Sequence, residues 1–277
     1  MVEKTHQGLI CFLNIFQRLF SGFTPLLAFL VCTQAYAQNI SLVSDEETEQ
    51  LLGQITEPLF KAAGVSYDRN NIYIVNDNSL NAFVTDGNAL FVHTGTIVNA
   101  ESPNELSGVI AHETGHIAGG HILRQKLKNK EMQDITLASA LLAGAAAAVG
   151  GRSDAAVAVM LGSQTSALTH YMKYRTNEER AADESAVKFL AQTQQSPQGM
   201  LTFMKRINTQ QNLNGLEETP YFRSHPVTRE RISFFEKVVE DTHVSDKDKL
   251  QDAFERVKAK LYAYLNSPEA TARKYPE

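Results

Sequence analysis

Apolar positions along this chain follow a helical period over most of its length and a strand period in one region near the front. SDEETEQLLGQITEPLFKAAG (44–64) repeats its apolar residues three and four apart and predicts an amphipathic helix. Ser44 is its expected N-cap, with Glu47 three residues on, and Gly64 its stop. NIYIVND (71–77) then predicts a strand. NAFVTDGNALFVHTG (81–95) reads as two apolar, β-rich runs around Asp86–Gly87, a hairpin. A long helix is predicted next, with Ser102 as N-cap, Pro103 in the first turn and Glu105 closing a capping box. Gly119–Gly120 is expected to bend it before HILRQKLKNKEM. Two Ala/Gly-rich stretches between 137 and 168 predict two closely packed helices, each short of the ~20 apolar residues that cross a bilayer. Further helices are expected around 177–192, 197–211 and 226–240, with a charged one over 246–265. The expected class is α+β, mostly helical, with a small sheet.

The first 37 residues stand apart from this pattern. Arg18, the apolar run PLLAFLVC (25–32) and AYA (35–37) form a secretory signal with cleavage after Ala37. The region ahead of that run is long and itself apolar from Phe12 to Phe20, so an uncleaved anchor is the alternative reading. Cys11 and Cys32, the chain's 2 cysteines, both fall here. The segment from residue 38 therefore has neither a disulfide nor a cysteine ligand. Net charge is −5, and setting aside Glu3, Lys4 and Arg18 makes it about −6, which argues against nucleic acid as a partner. Export to a bacterial periplasm, with or without association at a membrane surface, fits these features.

VIAHETGHIAGGH (109–121) carries the chemistry. Residues four apart on a helix share a face, so His112 and His116 can reach one ion. Glu113, one residue on, is placed to reach a water at that ion, the H-E-x-x-H arrangement of zinc peptidases. The third ligand has two candidates. His121 follows Gly119 as in H-E-x-x-H-x-x-G-x-x-H, but one residue early, since that pattern would need a histidine where Ile122 stands. On a continuous helix His121 would point about 180° from His112, so it is expected to pack or to support a ligand. RTNEERAADESA (175–186) offers Glu179 and Asp183 four apart on one face. Glu179 is expected to bind the metal and Asp183 to accept the free N–H of a ligand histidine. Glu178, five residues from Asp183, faces elsewhere.

HETGH followed by NEERAADESA resembles the M48 metallopeptidases, whose zinc site pairs H-E-x-x-H with a downstream E-x-x-x-D. NAFV, PNELSGVIAHETGHIAGGH and SHPVTRERI also resemble that family's secreted bacterial branch. The likeness spans about 42–240. It implies a zincin-like (gluzincin) domain over 38–240 and one Zn2+ held by His112, His116 and Glu179. Glu113 is then the general base, with Asp183 behind the ligands. It also implies a role in outer-membrane protein quality control. Segment 241–277 is expected to be a short helical extension. It has room for little more than one helical pair of the tetratricopeptide array that many secreted relatives carry, whereas such repeats need three or more units for stability.

Peptide hydrolysis also needs a donor for the oxyanion. His225 in SHPVTRER is the first candidate, because Pro226 keeps it extended at a helix start; it could also plug the metal. Arg231 is the second candidate, as an oxyanion or cleft residue. The strand Asn81, Ala82 and Phe83 offers an edge on which an extended substrate can pair. Unfolded or misassembled proteins are the expected substrates, and outer-membrane assembly machinery an expected partner. A zinc-binding periplasmic chaperone or assembly factor is the rival reading; Glu113 argues against it, since binding needs no base.

Overall fold

The computed structural model describes residues 40–148, 153–214, 220–242, 244 and 249–276. The expected signal segment, with both cysteines, lies outside the described residues. The elements run β1 (Leu42–Val43), α1 (Glu46–Ala63), β2 (Ile72–Val75), β3 (Ala82–Thr85), β4 (Ala89–His93), α2 (Thr94–Asn99), α3 (Pro103–Ala118) and α4 (His121–Ala148). They continue with α5 (Ser153–Gln192), α6 (Gln198–Asn214), α7 (Pro220–Ser224), α8 (Arg229–Glu240), α9 (Gln251–Leu265) and α10 (Pro268–Lys274).

The four strands form one sheet in the order β1-β2-β4-β3. The hairpin forms as expected, with Phe83 opposite Phe91. Phe83, Phe91 and Tyr73 stack across three strands, with ring centroids 4.9 and 4.8 Å apart. β2 runs parallel to β4, a pairing that no local turn signals. This leaves β3 at an edge, paired with β4 alone among the described residues.

Two helix starts differ in detail from expectation. Asp45, not Ser44, caps α1: its carboxylate accepts from the Thr48 N–H at 3.0 Å, while the Ser44 hydroxyl donates to Glu49. A charged acceptor beside the positive end of the helix outcompetes a hydroxyl one residue earlier. Ser102 caps α3 as expected, but Glu105 accepts from the Glu101 N–H rather than that of Ser102. Gly64 ends α1 at φ +69°.

Two helix bodies differ more. Gly119–Gly120 breaks the helix instead of bending it. Gly119 closes α3, Gly120 takes φ +67°, and α4 begins afresh at His121. The helix expected at 177–192 is the second half of α5, one 40-residue helix that also contains the second Ala/Gly-rich stretch. No proline or glycine pair interrupts 153–192, so nothing stops the helix. α4 packs along α5. No helix among the described residues is long and apolar enough to cross a membrane.

α3 is the centre of the molecule. It is buried from Pro103 to His116 and packs against α1, α5, α6 and β3. Phe254, Val257 and Leu261 of α9 join the same core as Leu52, Ile55 and Ile110. Asn104, buried, donates to the Ser196 carbonyl and accepts from the Gly199 N–H at 2.7 Å, tying α3 to the start of α6. Gly115 lets α3 touch α5 backbone to backbone: a Cβ there would stand 2.7 Å from the Ala182 carbonyl oxygen. Replacing Gly115 with valine must therefore push the two helices apart. Gly115→Val should cost about 1–3 kcal/mol in urea unfolding of the chain from residue 38, the usual penalty of overpacking. Stability equal to the parent's would show that the contact is not tight.

Candidate metal centre

α3 turns His112 and His116 to the same side, with their Nε2 atoms 3.1 Å apart. α5 brings Glu179 against both: Oε2 is 3.3 Å from His112 Nε2, and Oε1 is 3.4 Å from His116 Nε2. His225, just past α7, completes the cluster. Its Nδ1 lies 3.3 Å from His112 Nε2 and 3.2 Å from Glu179 Oε1. All four residues are buried, and one donor atom from each lies within 4.8 Å of the other three. Donors around a tetrahedral ion with bonds of about 2.0–2.1 Å sit roughly 3.3 Å apart, close to the 3.1–3.4 Å that separate His112 from His116 and His225 and Glu179 from all three imidazoles.

The surroundings favour a cation. Burial opposes charge on His112, yet Asp183 and Glu179 overcome it and push the imidazole up to about 9. Burial dominates at His116 and takes it down to about 3. Burial also works against the charge of Glu179, but His225, His112 and His116 hold its carboxyl well below the usual range. Asp183 is likewise lowered against burial, through Arg231 and His112. Glu113 moves the other way, since burial raises it. Neither Glu113 oxygen has a hydrogen-bond partner among the described residues. Its Oε1 is 3.4 Å from His225 Nε2. A buried carboxyl group with no hydrogen bond and only this imidazole beside it is costly to keep unless it has chemistry to perform.

Asp183 Oδ1 stands 2.9 Å from His112 Nδ1, off the line of an ideal hydrogen bond. Arg231, on the first turn of α8, grips Asp183 with two bonds of 2.6 and 2.8 Å. It also reaches Glu179 Oε2 at 2.9 Å and donates to the Pro226 carbonyl. Thr228 caps that helix at the Arg231 N–H and so places the guanidinium.

A cleft of about 300 Å³ opens on Glu113, His116, Glu179 and His225, with Phe83 and Val84 of β3 along one side. Arg231 does not line it, and sits with Asp183 on another face. Asn81 and Ala82 are buried and do not line it either. His121 stands outside the donor set, against His116. Sequence reasoning passed over Tyr221, which is fully buried and packs its ring 4.8 Å from that of His225. Its carbonyl accepts from the His225 N–H at 2.7 Å, and its hydroxyl has no hydrogen-bond partner among the described residues. The cue was its position four residues before His225.

Histidines from the buried α3 and a carboxylate from α5, beside the edge of a small mixed sheet, fit a zincin-like fold. The chain belongs to Peptidase family M48, whose profile it matches over residues 46–239. It is similar to the beta-barrel assembly-enhancing proteases of Escherichia coli (strain K12) and Yersinia pestis. The first is 20% identical over 192 residues, 69% of this chain and 39% of the relative. The second is 23% identical over 164 residues, 59% and 33%. It is also similar to metalloprotease LoiP of Escherichia coli (strain K12), 27% identical over 160 residues, 58% of each. The chain spans less than half the length of the assembly-enhancing relatives it matches.

Removing the Arg231 charge leaves Asp183 and Glu179 buried with less compensation. Arg231→Met should destabilise the metal-free protein by about 3–5 kcal/mol, as breaking a buried ion pair does. Equilibrium urea unfolding checks this. A loss below 1 kcal/mol would mean that Arg231 does not hold these carboxylates.

Proposed function

We propose that the protein is a zinc-dependent endopeptidase of the bacterial periplasm that degrades misfolded or misassembled envelope proteins. The observation that carries this reading is Glu113: a buried carboxylate with unsatisfied oxygens, at the mouth of a four-donor cluster and facing a cleft. A binding or assembly factor has no use for such a base.

His112, His116 and Glu179 would hold the zinc, and Asp183 would orient His112. The ion supplies a Lewis acid when bound. Glu113 takes the proton of the attacking water and returns it to the leaving amine; its raised pKa suits a group that must both accept and release a proton. Substrate pairs along β3. Asn81 bonds its carbonyl to the His93 N–H, so the alternation of an antiparallel ladder turns the main-chain groups of Val84, which lines the cleft, away from β4. Main-chain pairing reads little sequence and suits unfolded chains. The signal-like segment supports export. The relatives' printed name supports envelope substrates and the outer-membrane assembly machinery as a partner.

His225 restrains the site. Its Nδ1 sits among the ligand atoms, which supports occupation of the fourth position when no substrate is present. Arg175 holds the loop by donating to the Ser224 and Arg223 carbonyls. Withdrawn from the metal, the same imidazole would be within reach of an oxyanion. Arg231, tied to Asp183 and Glu179, is the weaker candidate for that role.

Two variants test this reading on the chain from residue 38. Glu113→Gln should bind one zinc per chain and lose casein cleavage by at least ~10²; near-parental cleavage by the zinc-loaded variant would overturn the mechanism. His225→Ala should keep zinc and cleave casein and itself faster. If the imidazole mainly serves the oxyanion, kcat falls instead by ~10²–10³.

A further inference from the structure

The two zinc-facing histidines differ in what stands behind them. His112 has a carboxylate directly at its Nδ1, that of Asp183. At the Nδ1 of His116 stands another imidazole: His121 Nδ1, 2.9 Å away. His121 in turn places its Nε2 3.1 Å from Glu178 Oε2. Arg124 then holds Glu178 by bonds of 3.0–3.2 Å from its Nε and Nη2. We infer that His121 is a positioning residue for His116: it carries the orienting effect of Glu178 across to the back of that ring. This rests on His112, His116 and Glu179 being the zinc ligands.

The hydrogen inventory allows one arrangement that serves a metal. Glu178 accepts from Arg124 through both oxygens and acts as the acceptor toward His121 too, so His121 carries its proton on Nε2. That leaves His121 Nδ1 as an acceptor. The proton between the two Nδ1 atoms then belongs to His116. With Nδ1 protonated, neutral His116 has its lone pair on Nε2, the atom that faces Glu179 and His112. Glu178 thus fixes the tautomer of one histidine, which fixes that of the next. Both arms end alike, a carboxylate braced by an arginine: Asp183 by Arg231, Glu178 by Arg124.

The chain is shaped locally to permit this. On an unbroken helix His121 would face away from His112. Gly120 at φ +67° ends the helix and starts α4 at a new angle, folding His121 back over Gly119. A Cβ on residue 119 would lie 2.3 Å from His121 Nε2, so only glycine leaves room for the ring. His121 is buried, with 5% of its surface exposed, and forms part of the cleft wall beside His116. GGH is therefore one device: two glycines that turn a histidine back onto its predecessor.

The test measures zinc dissociation constants by competition with a chelator, and apo-protein melting, in the chain from residue 38. His121→Leu should weaken zinc binding about 10–100-fold, the usual effect of losing a group behind a ligand. His121→Asn keeps an acceptor near the Nδ1 position and should recover most of that loss. Glu178→Gln should weaken binding in the parent, yet add little in the His121→Leu background, because the two act in series. Zinc affinity unchanged in His121→Leu, with only the apo-protein melting lowered, would reduce His121 to packing and overturn the proposal. So would additive effects of His121→Leu and Glu178→Gln. His112→Ala is the reference and should abolish tight binding. Full affinity in that variant would overturn the ligand assignment, and the proposal with it.

Discussion

Glu179 and Asp183 lie one helical turn apart on α5, both almost wholly buried and both held ionised. Two anions cannot remain together in a protein interior without nearby positive charge and hydrogen bonds. Arg231 supplies the permanent part of that charge, with its guanidinium bonded to Asp183 and close to Glu179. The imidazole cluster, or a metal in its place, supplies the rest. Burial, helped by the neighbouring His112 and His225, drives His116 down, whereas Asp183 and Glu179 drive His112 up. The site thus attracts a cation before any cation is bound.

The fold can be read as the means of keeping those charges in register. α3 and α5 must approach until backbones touch, which Gly115 allows at Ala182. Asn104 fixes the other end of α3 to α6. α8 enters the site only by its first turn, where Thr228 caps the helix and aims Arg231 inward. The sheet does little for the ligands. Its contribution is an edge, since the β1-β2-β4-β3 order leaves β3 open beside the cleft.

What could be read from sequence was whatever is local. Ser102–Pro103 announced α3, Asp86–Gly87 the hairpin, and the four-residue spacings placed His112 with His116 and Glu179 with Asp183. The resemblance to M48 joined the two pairs before any coordinates did. Competition between neighbours blurred the rest. Asp45 displaced Ser44 as cap because its charge suits the helix end better. The 40 residues of α5 looked like separate helices because composition changes at 168 while helix propensity does not. The parallel pairing of β2 with β4 has no turn to signal it. Arg231 could be suspected of meeting the site, but its grip on Asp183 is a contact across 48 residues. The fold-back of His121 depended on Gly120 adopting positive φ, which a glycine permits but does not require.

His112, His116, Glu179 and His225 are expected to meet at one ion when zinc binds. X-ray absorption at the zinc K-edge of the zinc-loaded chain from residue 38 tests this directly, because imidazole rings give countable outer-shell scattering. Three imidazoles and a carboxylate are predicted for the parent, falling to two imidazoles in His225→Ala with the carboxylate retained. A spectrum that shows the same number of imidazoles with and without His225 would contradict the four-donor site.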